Sequence, residues 1–397
     1  MKRQFRDNTG KKETKEKKRS RCPVSNRCGG CTMIDVPYDE QLLAKQAHVQ
    51  ELIGGYGPVD PIIKMKNPDH YRGKVTSVFA RDRRQGAVCG IYRRGTHEVI
   101  PVKKCLLEDT RADRIIQTVL RMLPNYRIKA YDEETGSGFL RYVQVRAARA
   151  TRQVMVTLVT TDPVLPRGTA FIKELTERHP EITTVVMNIN DKDTTMVLGQ
   201  REKVLYGPGY IEDVLCGKRF RISSRSFYQV NSLQTEKLYN IALDLAGFSG
   251  KERILDAYCG IGTIGIIASD RCREVICAEL NPEAVRDAAH NAQMNGASNV
   301  QVAESDAGEF MEELAEDGEK MDIVFLDPPR SGASQQFLQS LTKLGPSKVV
   351  YVSCEPVTLA RDLEYLTQNG YQMKKAVPVD MFPYTEGVET VCLLTHN

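Results

Sequence analysis

No apolar run in this chain approaches the roughly 18–20 residues that a membrane span needs. No basic n-region followed by an apolar h-region opens it either. Both absences argue against a membrane span and a secretory signal, and the expected compartment is the cytoplasm. Histidine is scarce: the six are scattered and form no zinc-type spacing. The eleven cysteines are an odd number in a chain without an export signal, so a disulfide framework is not expected. Metal ligation, catalysis and plain burial are the uses left for them. With 27% charged and 41% hydrophobic residues, the balance is that of a folded chain. Its 397 residues suffice for two or three domains, each with its own core.

Net charge is only +4, but it is unevenly placed. Residues 1–21 carry ten Lys/Arg against three Asp/Glu and almost nothing apolar. Such a stretch reads as a disordered basic tail, a solubiliser or an electrostatic grip on nucleic acid. Then come Cys22, Cys28 and Cys31, with Gly29 and Gly30 between the last two. Three cysteines so close are hard to explain as packing. The glycines let backbone NH groups turn towards bound sulfur or metal. A zinc ion and an iron–sulfur cluster compete, and each wants a fourth ligand. No second CxxC follows closely, which favours the cluster. Cys105 is the candidate that the fold would bring in, and Cys89, inside a strand-like stretch, is its rival.

Residues 38–54 have helical spacing and stop at a glycine pair. Strand-like runs follow at 70–79, 88–94, 140–146, 154–159, 185–189 and 195–198, with helices at 111–123 and 168–178. This is an α+β pattern with arginines and tyrosines interleaved on the strands. One grips phosphate and the other stacks on a base, which suits RNA, although a solvated sheet face looks similar.

From about residue 215 strands and helices alternate, the pattern of a doubly wound parallel sheet. One strand ends at Asp256 and opens into Gly260-x-Gly262-x-x-Gly265. The next ends at Glu279, and a later one at Asp327-Pro328-Pro329. A glycine turn lets a ligand approach the backbone, here at Gly260, and an acidic strand end bonds ribose hydroxyls. No arginine stands in for a 2′-phosphate. This set suits S-adenosylmethionine better than a nicotinamide cofactor. Glu279 would hold the ribose, Asp306 the adenine amine, and Asp327 would face the reacting end.

Lys348–Val352 reads as a buried strand ending at Ser353-Cys354-Glu355-Pro356, where a helix begins. Buried packing explains most lone strand-end cysteines. Beside a methyl donor, however, Cys354 has a use. Carbon C5 of a pyrimidine is a poor nucleophile until a thiolate adds at C6. A base must then remove the C5 proton. Glu389, opening the last strand, is the candidate base, and Glu355 its rival.

The motifs SFYQVN, LDAYCGIGTIG, FLDPPRSGA, YVSCEPVTLARDL and DMFPYTEGVETVCLL together resemble the RNA uracil-5-methyltransferase family, over roughly residues 22–397. The resemblance implies Cys354 as nucleophile and Glu389 as base. It implies Gln229, Tyr258, Glu279 and Asp327 as contacts to S-adenosylmethionine. The Cys-x5-Cys-x2-Cys element resembles the [4Fe-4S] site of the family's 23S rRNA-modifying branch, which implies Cys22, Cys28, Cys31 and Cys105 as ligands and 23S rRNA as substrate. The implied architecture is α/β: a basic tail over 1–21, an N-terminal α+β iron–sulfur and RNA-binding domain over 22–214, and a C-terminal doubly wound, Rossmann-like methyltransferase domain over 215–397. RNA is the expected partner, with no membrane and no obligate protein partner. Two departures stand out. Many members carry an N-terminal β-barrel that binds RNA; here only the short tail precedes Cys22, so grip falls to the tail and middle domain. Many also have a histidine two residues before the terminal glutamate, where this chain has Gly387. An amino-methyltransferase, or a non-catalytic iron–sulfur protein that binds RNA, is the competing expectation; neither gives Cys354 a task.

Overall fold

The structure, a computed structural model, describes residues 20–82 and 86–396. Residues 1–19, nearly the whole basic tail, lie outside the described residues, as do Arg83 and Arg84.

Helix α1 (Tyr38–Ile53) comes first, with Asp39 and Glu40 in its first turn, where they favour the helix dipole. A seven-stranded sheet follows, built from β1 (Lys74–Asp82), β2 (Gly86–Tyr92), β3 (Val99–Pro101), β4 (Leu140–Ala147), β5 (Val154–Thr160), β6 (Ile182–Ile189) and β7 (Arg201–Tyr206). Helices α2 (Thr110–Tyr126) and α3 (Gly168–Arg178) lie between its strands in sequence. The order is β3-β2-β1-β4-β5-β6-β7. Only β5 and β6 pair in parallel, because α3 supplies the crossover that parallel neighbours need. Ile115, Val119 and Met122 of α2 and Phe171 and Leu175 of α3 pack on one face, against Val143, Val145, Val156 and Val185.

Two expectations for this half do not hold. Residues 195–198 are irregular rather than a strand, and the edge strand is β7. Their backbone is held by asparagine side chains instead of a ladder: Asn190 Nδ2 donates to the carbonyls of Met196 (2.7 Å) and Val197 (3.1 Å). Val197 and Leu198 are apolar because they cover Val78, Tyr142 and Val159 on the sheet's other face. Nor do two of the strand arginines, Arg141 and Arg146, face outward for RNA. Arg141 and Arg146 are each 5% exposed. Arg141 donates to the carbonyls of Asn190 and Lys192, and Arg146 to those of Ser224 and Ser226. They tie loops down.

A hairpin of β8 (Tyr210–Leu215) and β9 (Lys218–Ser223) leads into the second half. There α4 (Ser232–Ala246), β10 (Arg253–Ala257), α5 (Thr263–Ala268), β11 (Glu274–Glu279), α6 (Pro282–Met294), β12 (Val300–Glu304), α7 (Ala307–Glu316), β13 (Ile323–Leu326), α8 (Gln335–Leu344), β14 (Lys348–Ser353), α9 (Pro356–Gln368), β15 (Tyr371–Val379) and β16 (Glu389–His396) follow in order. The sheet runs β12-β11-β10-β13-β14-β16-β15. The first five are parallel, β16 runs antiparallel to them, and β15, antiparallel to β16, runs in their direction again. Along each strand alternate residues enter opposite cores: Ile254, Val275, Phe325 and Val350 one, Leu255, Ile276, Val324 and Tyr351 the other. That is the Rossmann-like, doubly wound sheet expected. Strand order reverses at β10, so the ligand crevice opens at the carboxyl ends of β10 and β13.

Helix α1 precedes the first sheet in sequence but packs on the second. Val49 and Ile53 join the core of Leu363, Leu366 and Ala376. Just after it, Val59 bridges Ala376 and Ile63 bridges Val379, both in parallel. Among the described residues, no helix is long and apolar enough to cross a membrane.

Candidate active site

A cleft of about 1090 Å³ opens over the carboxyl ends of the second sheet. Its lining includes Gln229, Tyr258, Gly260, Glu279, Asp327, Cys354, Glu355 and Glu389. Asp306 is not among the lining residues. Its side chain caps α7 instead, with Oδ1 accepting from Gly308 N (2.8 Å) and Glu309 N (3.2 Å).

The glycine turn is built by close packing. Tyr258, Gly260 and Gly262 all have positive φ (63°, 57° and 79°), the left-handed bend that lets the chain leave β10 and start α5 at once. A Cβ on Gly265 would stand 2.6 Å from Cys277 Sγ, so only glycine lets α5 sit down on β11. Asp256 holds the turn from below, accepting from Gly265 N at 2.7 Å. Glu279 holds it from the side, accepting from Gly260 N (3.0 Å) and Asn281 N (2.8 Å). Tyr258 lies against Phe337, with ring centroids 5.0 Å apart, an aromatic wall beside the turn.

Sheet register brings the two reactive candidates together. Ser353 pairs with Thr390 across the antiparallel β14–β16 ladder. Cys354 and Glu389 are the next residues beyond that pair on the cleft side, and the Glu389 carboxylate acts electrostatically on the Cys354 thiol. Glu389 is 2% exposed, and its Oε2 has no hydrogen-bond partner. Glu355 also lines the cleft, but its carboxylate caps α9 at Val357 N.

Charge explains the state of these groups. Burial, then the carboxylates of Glu389 and Asp327, push the Cys354 thiol up to about 12, with Arg330 opposing them. Burial and Asp327 raise the Glu389 carboxyl well above the carboxylate range. Burial pushes the carboxyls of Asp327 and Asp256 up to about 7. Three carboxyl groups and the thiol thus meet at this floor, and Arg330 is a cation that acts on its reactive pair. Such a floor is complementary to a cationic ligand. The unpartnered Glu389 oxygen, the glycine turn and the aromatic wall fit S-adenosylmethionine, whose sulfonium is positive.

Sequence reasoning did not bring three parts of this cleft to the site. Phe227 lines it and is 63% exposed, within the SFYQVN motif. Arg330 follows the Asp-Pro-Pro motif. The third part comes from far away in sequence: Gly29, Gly30, Thr32, Lys45, His48 and Arg72. Their signal was absent from local pattern, because α1 and the cysteine loop reach the site only through the fold. Thr32 Oγ1 accepts from Glu386 N (3.1 Å), Met33 N donates to Tyr384 O (2.9 Å), and Gln41 Oε1 accepts from Tyr384 N (2.8 Å). The cysteine loop and α1 therefore brace the segment that leads into Glu389.

The cysteine residues divide as follows. Cys22, Cys31 and Cys105 pack around one small cluster with Tyr71 and Leu107. Cys22 and Cys28 act electrostatically on Cys31, and Cys31 on Cys105. Gly30 N–H donates to Cys28 Sγ and Leu107 N–H to Cys105 Sγ, each at 3.4 Å. Cys89 goes elsewhere, into the core beneath α2. Among the described residues, no three His, Cys, Asp or Glu are gathered closely enough to hold a metal ion.

The profile of the tRNA (Uracil-5-)-methyltransferase family matches residues 37–397. An RNA methyltransferase of Bacillus cereus is 40% identical over 388 residues, covering 96% of this chain and 84% of that protein. One of Halalkalibacterium halodurans is 39% identical, covering 94% and 82%. The crystal structure of Pyrococcus abyssi tRNA (uracil-54, C5)-methyltransferase in complex with S-adenosyl-L-homocysteine superposes with a TM-score of 0.76 at 26% identity, covering 92% of this chain and 86% of that one.

Proposed function

The chain belongs to the tRNA (uracil-5-)-methyltransferase family of S-adenosylmethionine-dependent RNA methyltransferases, and from that premise we propose that it methylates C5 of a uridine in 23S rRNA through a covalent adduct at Cys354. The observation that supports the chemistry is that Cys354 and Glu389, each next to the Ser353–Thr390 pair, both line one cleft. S-adenosylmethionine supplies the electrophilic methyl group. Gln229, Tyr258, Glu279 and Asp327 line the part of the cleft suited to hold it; Gly260 gives it room, and Asp306 stands further back.

The residues work as follows in this reading. A positive charge beside Asp327 lowers the Cys354 and Glu389 values that neighbouring carboxylates had raised. Cys354 adds as thiolate to C6 of the uracil, and the electron pair moves to C5, which takes the methyl group as the sulfonium S–CH3 bond breaks and S-adenosylhomocysteine is left. Glu389 accepts the C5 proton. The C6–S bond breaks, the C5–C6 double bond re-forms, and the thiolate leaves. Arg330, acting on both groups, steadies the negative charge that passes between them.

Residues 22–214 grip RNA in this scheme and residues 215–397 carry the chemistry, in the cytoplasm. Cys22, Cys28, Cys31 and Cys105 would hold a [4Fe-4S] cluster. The donor set is all thiol, Cys22, Cys31 and Cys105 pack against one small cluster while Cys28 acts electrostatically on Cys31, and amide NH groups point at two of the sulfurs. A four-iron cube spreads its ligands further apart than a single ion does, which accommodates cysteines too dispersed for one metal. The cluster would supply structure, since the methyl transfer moves no electrons. The cysteine pattern is what favours 23S rRNA. A tRNA uridine is the second reading, favoured by the likeness to the Pyrococcus abyssi enzyme.

RNA bearing 5-fluorouridine tests the mechanism. Fluorine cannot leave C5 as a proton does, so wild type with S-adenosylmethionine should form an RNA–protein band that survives a denaturing gel. Cys354→Ala should form none, and Glu389→Gln should accumulate a similar band on ordinary RNA. An equal band with Cys354→Ala sinks the mechanism. Unmodified 23S rRNA and tRNA transcripts, compared in parallel, decide the substrate.

A further inference from the structure

A second hollow of about 410 Å³ opens beside the cysteine loop, a size within the range of roughly 300–1,000 Å³ that takes ligands. Asn26, Arg27, Cys28, Gly29, Cys31, Thr32, Arg93, Arg94 and Glu386 line it. Four of these, Gly29, Thr32, Arg94 and Glu386, also line the cleft, so the hollow runs out of the cleft as a side groove. We infer that this groove binds the phosphate backbone of the single RNA strand that flanks the target uridine, with Arg72, Arg94 and Arg27 as successive contacts. The inference rests on the reading of the protein as an RNA methyltransferase acting at Cys354.

Charge placement is the first ground. Arg27 and Arg94 are exposed and have no carboxylate partner among the described residues. Arg93 has only an exposed pair with Glu98, 3.0 Å long. Arg72 lines the cleft wall, and its buried Nε–H finds no acceptor. Glu386 is the one acid on the groove. Unpaired guanidinium groups along a channel are what a phosphate chain neutralises.

Built geometry is the second. Cys28 pairs with Arg93 in an isolated antiparallel bridge, which welds the cysteine loop to the end of β2. A Cβ on Gly29 would stand 2.8 Å from Arg94 Cβ, so glycine at 29 is what allows Arg94 its place at the junction. A uridine turned into the cleft leaves its neighbouring nucleotides at the mouth. The groove is the channel that leads from there past cationic side chains. Backbone contacts of this kind set register without reading sequence.

The test is the salt dependence of RNA binding by the full chain. Unmodified 23S rRNA and tRNA transcripts are both used, and the one that wild type methylates is read. Arg94→Gln and Arg27→Gln should each lower the slope of log Kd against log salt by about 1, and the double variant by about 2. All three should keep wild-type affinity for S-adenosylmethionine. Lys251→Gln, at the opposite end of the sheet, should leave the slope unchanged. Unchanged slopes in the arginine variants of a protein that methylates RNA overturn the groove and leave the proposed function standing. A wild type that methylates neither transcript overturns both.

Discussion

Lys45 and Asp380 form a buried ion pair whose loss should be costly and whose joint removal should not. Lys45 Nζ lies 2.6 Å from Asp380 Oδ1, with side chains 2% and 0% exposed. Tyr38 OH donates to the second Asp380 oxygen at 2.6 Å, and Lys45 donates again to Phe382 O at 3.0 Å. Burial lowers the Lys45 ammonium despite the aspartate that raises it, so desolvation outweighs the attraction. Lys45→Met leaves a carboxylate with no exposure and one hydroxyl donor. The expected cost is about 3–5 kcal/mol, against roughly 5–15 kcal/mol for a whole domain. Lys45→Met combined with Asp380→Asn removes both charges and keeps an acceptor for Tyr38. It should stay within about 1.5 kcal/mol of wild type, because two desolvation costs vanish with the one attraction. Urea denaturation of wild type, both single variants and the double variant measures the cycle. A single variant that costs under about 1 kcal/mol, or a double as costly as the two singles summed, refutes the reasoning. The single variants should also lose kcat, because the pair anchors the segment that leads to Glu389.

The acidic floor makes cofactor affinity depend on pH. With the Asp327 carboxyl at about 7 in the ligand-free cleft, binding a sulfonium should expel a proton. Affinity for S-adenosylmethionine should then fall as pH drops below about 7, by up to tenfold per unit, and affinity for neutral S-adenosylhomocysteine much less; parallel calorimetric profiles for the two would count against it. For folding the same raised carboxyls act by a fixed sign. Their contribution is full below the ordinary carboxylate range and lost as pH rises through about 7, so Asp327→Asn should raise Tm at pH 8 and gain little near pH 4. Gly265→Ala places a Cβ 2.6 Å from Cys277 Sγ and 3.1 Å from Asp256 Oδ2; it should cost about 1–3 kcal/mol and weaken cofactor binding, and an unchanged Tm would contradict the packing. Anaerobically purified protein should be brown with about four irons; Cys105→Ser should lose them and Cys89→Ser should not.

The second sheet was largely legible because its signals are local. Each parallel strand is a short apolar run, and each polar strand end announces itself. The strand β15 escaped notice although Tyr371, Gln372, Met373 and Lys374 alternate buried and exposed. A register shift between Met373 and Lys375 breaks the period of two. Arginines at 141 and 146 looked like RNA contacts because sequence cannot separate a solvated strand face from one covered by a later loop. The cleft's floor was readable, since acidic strand ends and a strand-end cysteine converge wherever such a sheet reverses. Its wall was not: Lys45, His48 and Arg72 arrive through contacts spanning hundreds of residues, which no local period encodes.

Those contacts also impose an order of events during synthesis. Val59 and Ile63 pair with Ala376 and Val379, and Lys45 with Asp380. When the ribosome has made α1, its docking surface does not yet exist, and more than three hundred further residues must emerge first. Until then Val49 and Ile53 have no partner core and stand open to chaperones and to aggregation. The last strands to be translated therefore close two things in one step: they cover that early helix, and they deliver Glu389 to Cys354. A nascent or truncated chain that lacks them is left with neither a complete core nor a base opposite its thiol.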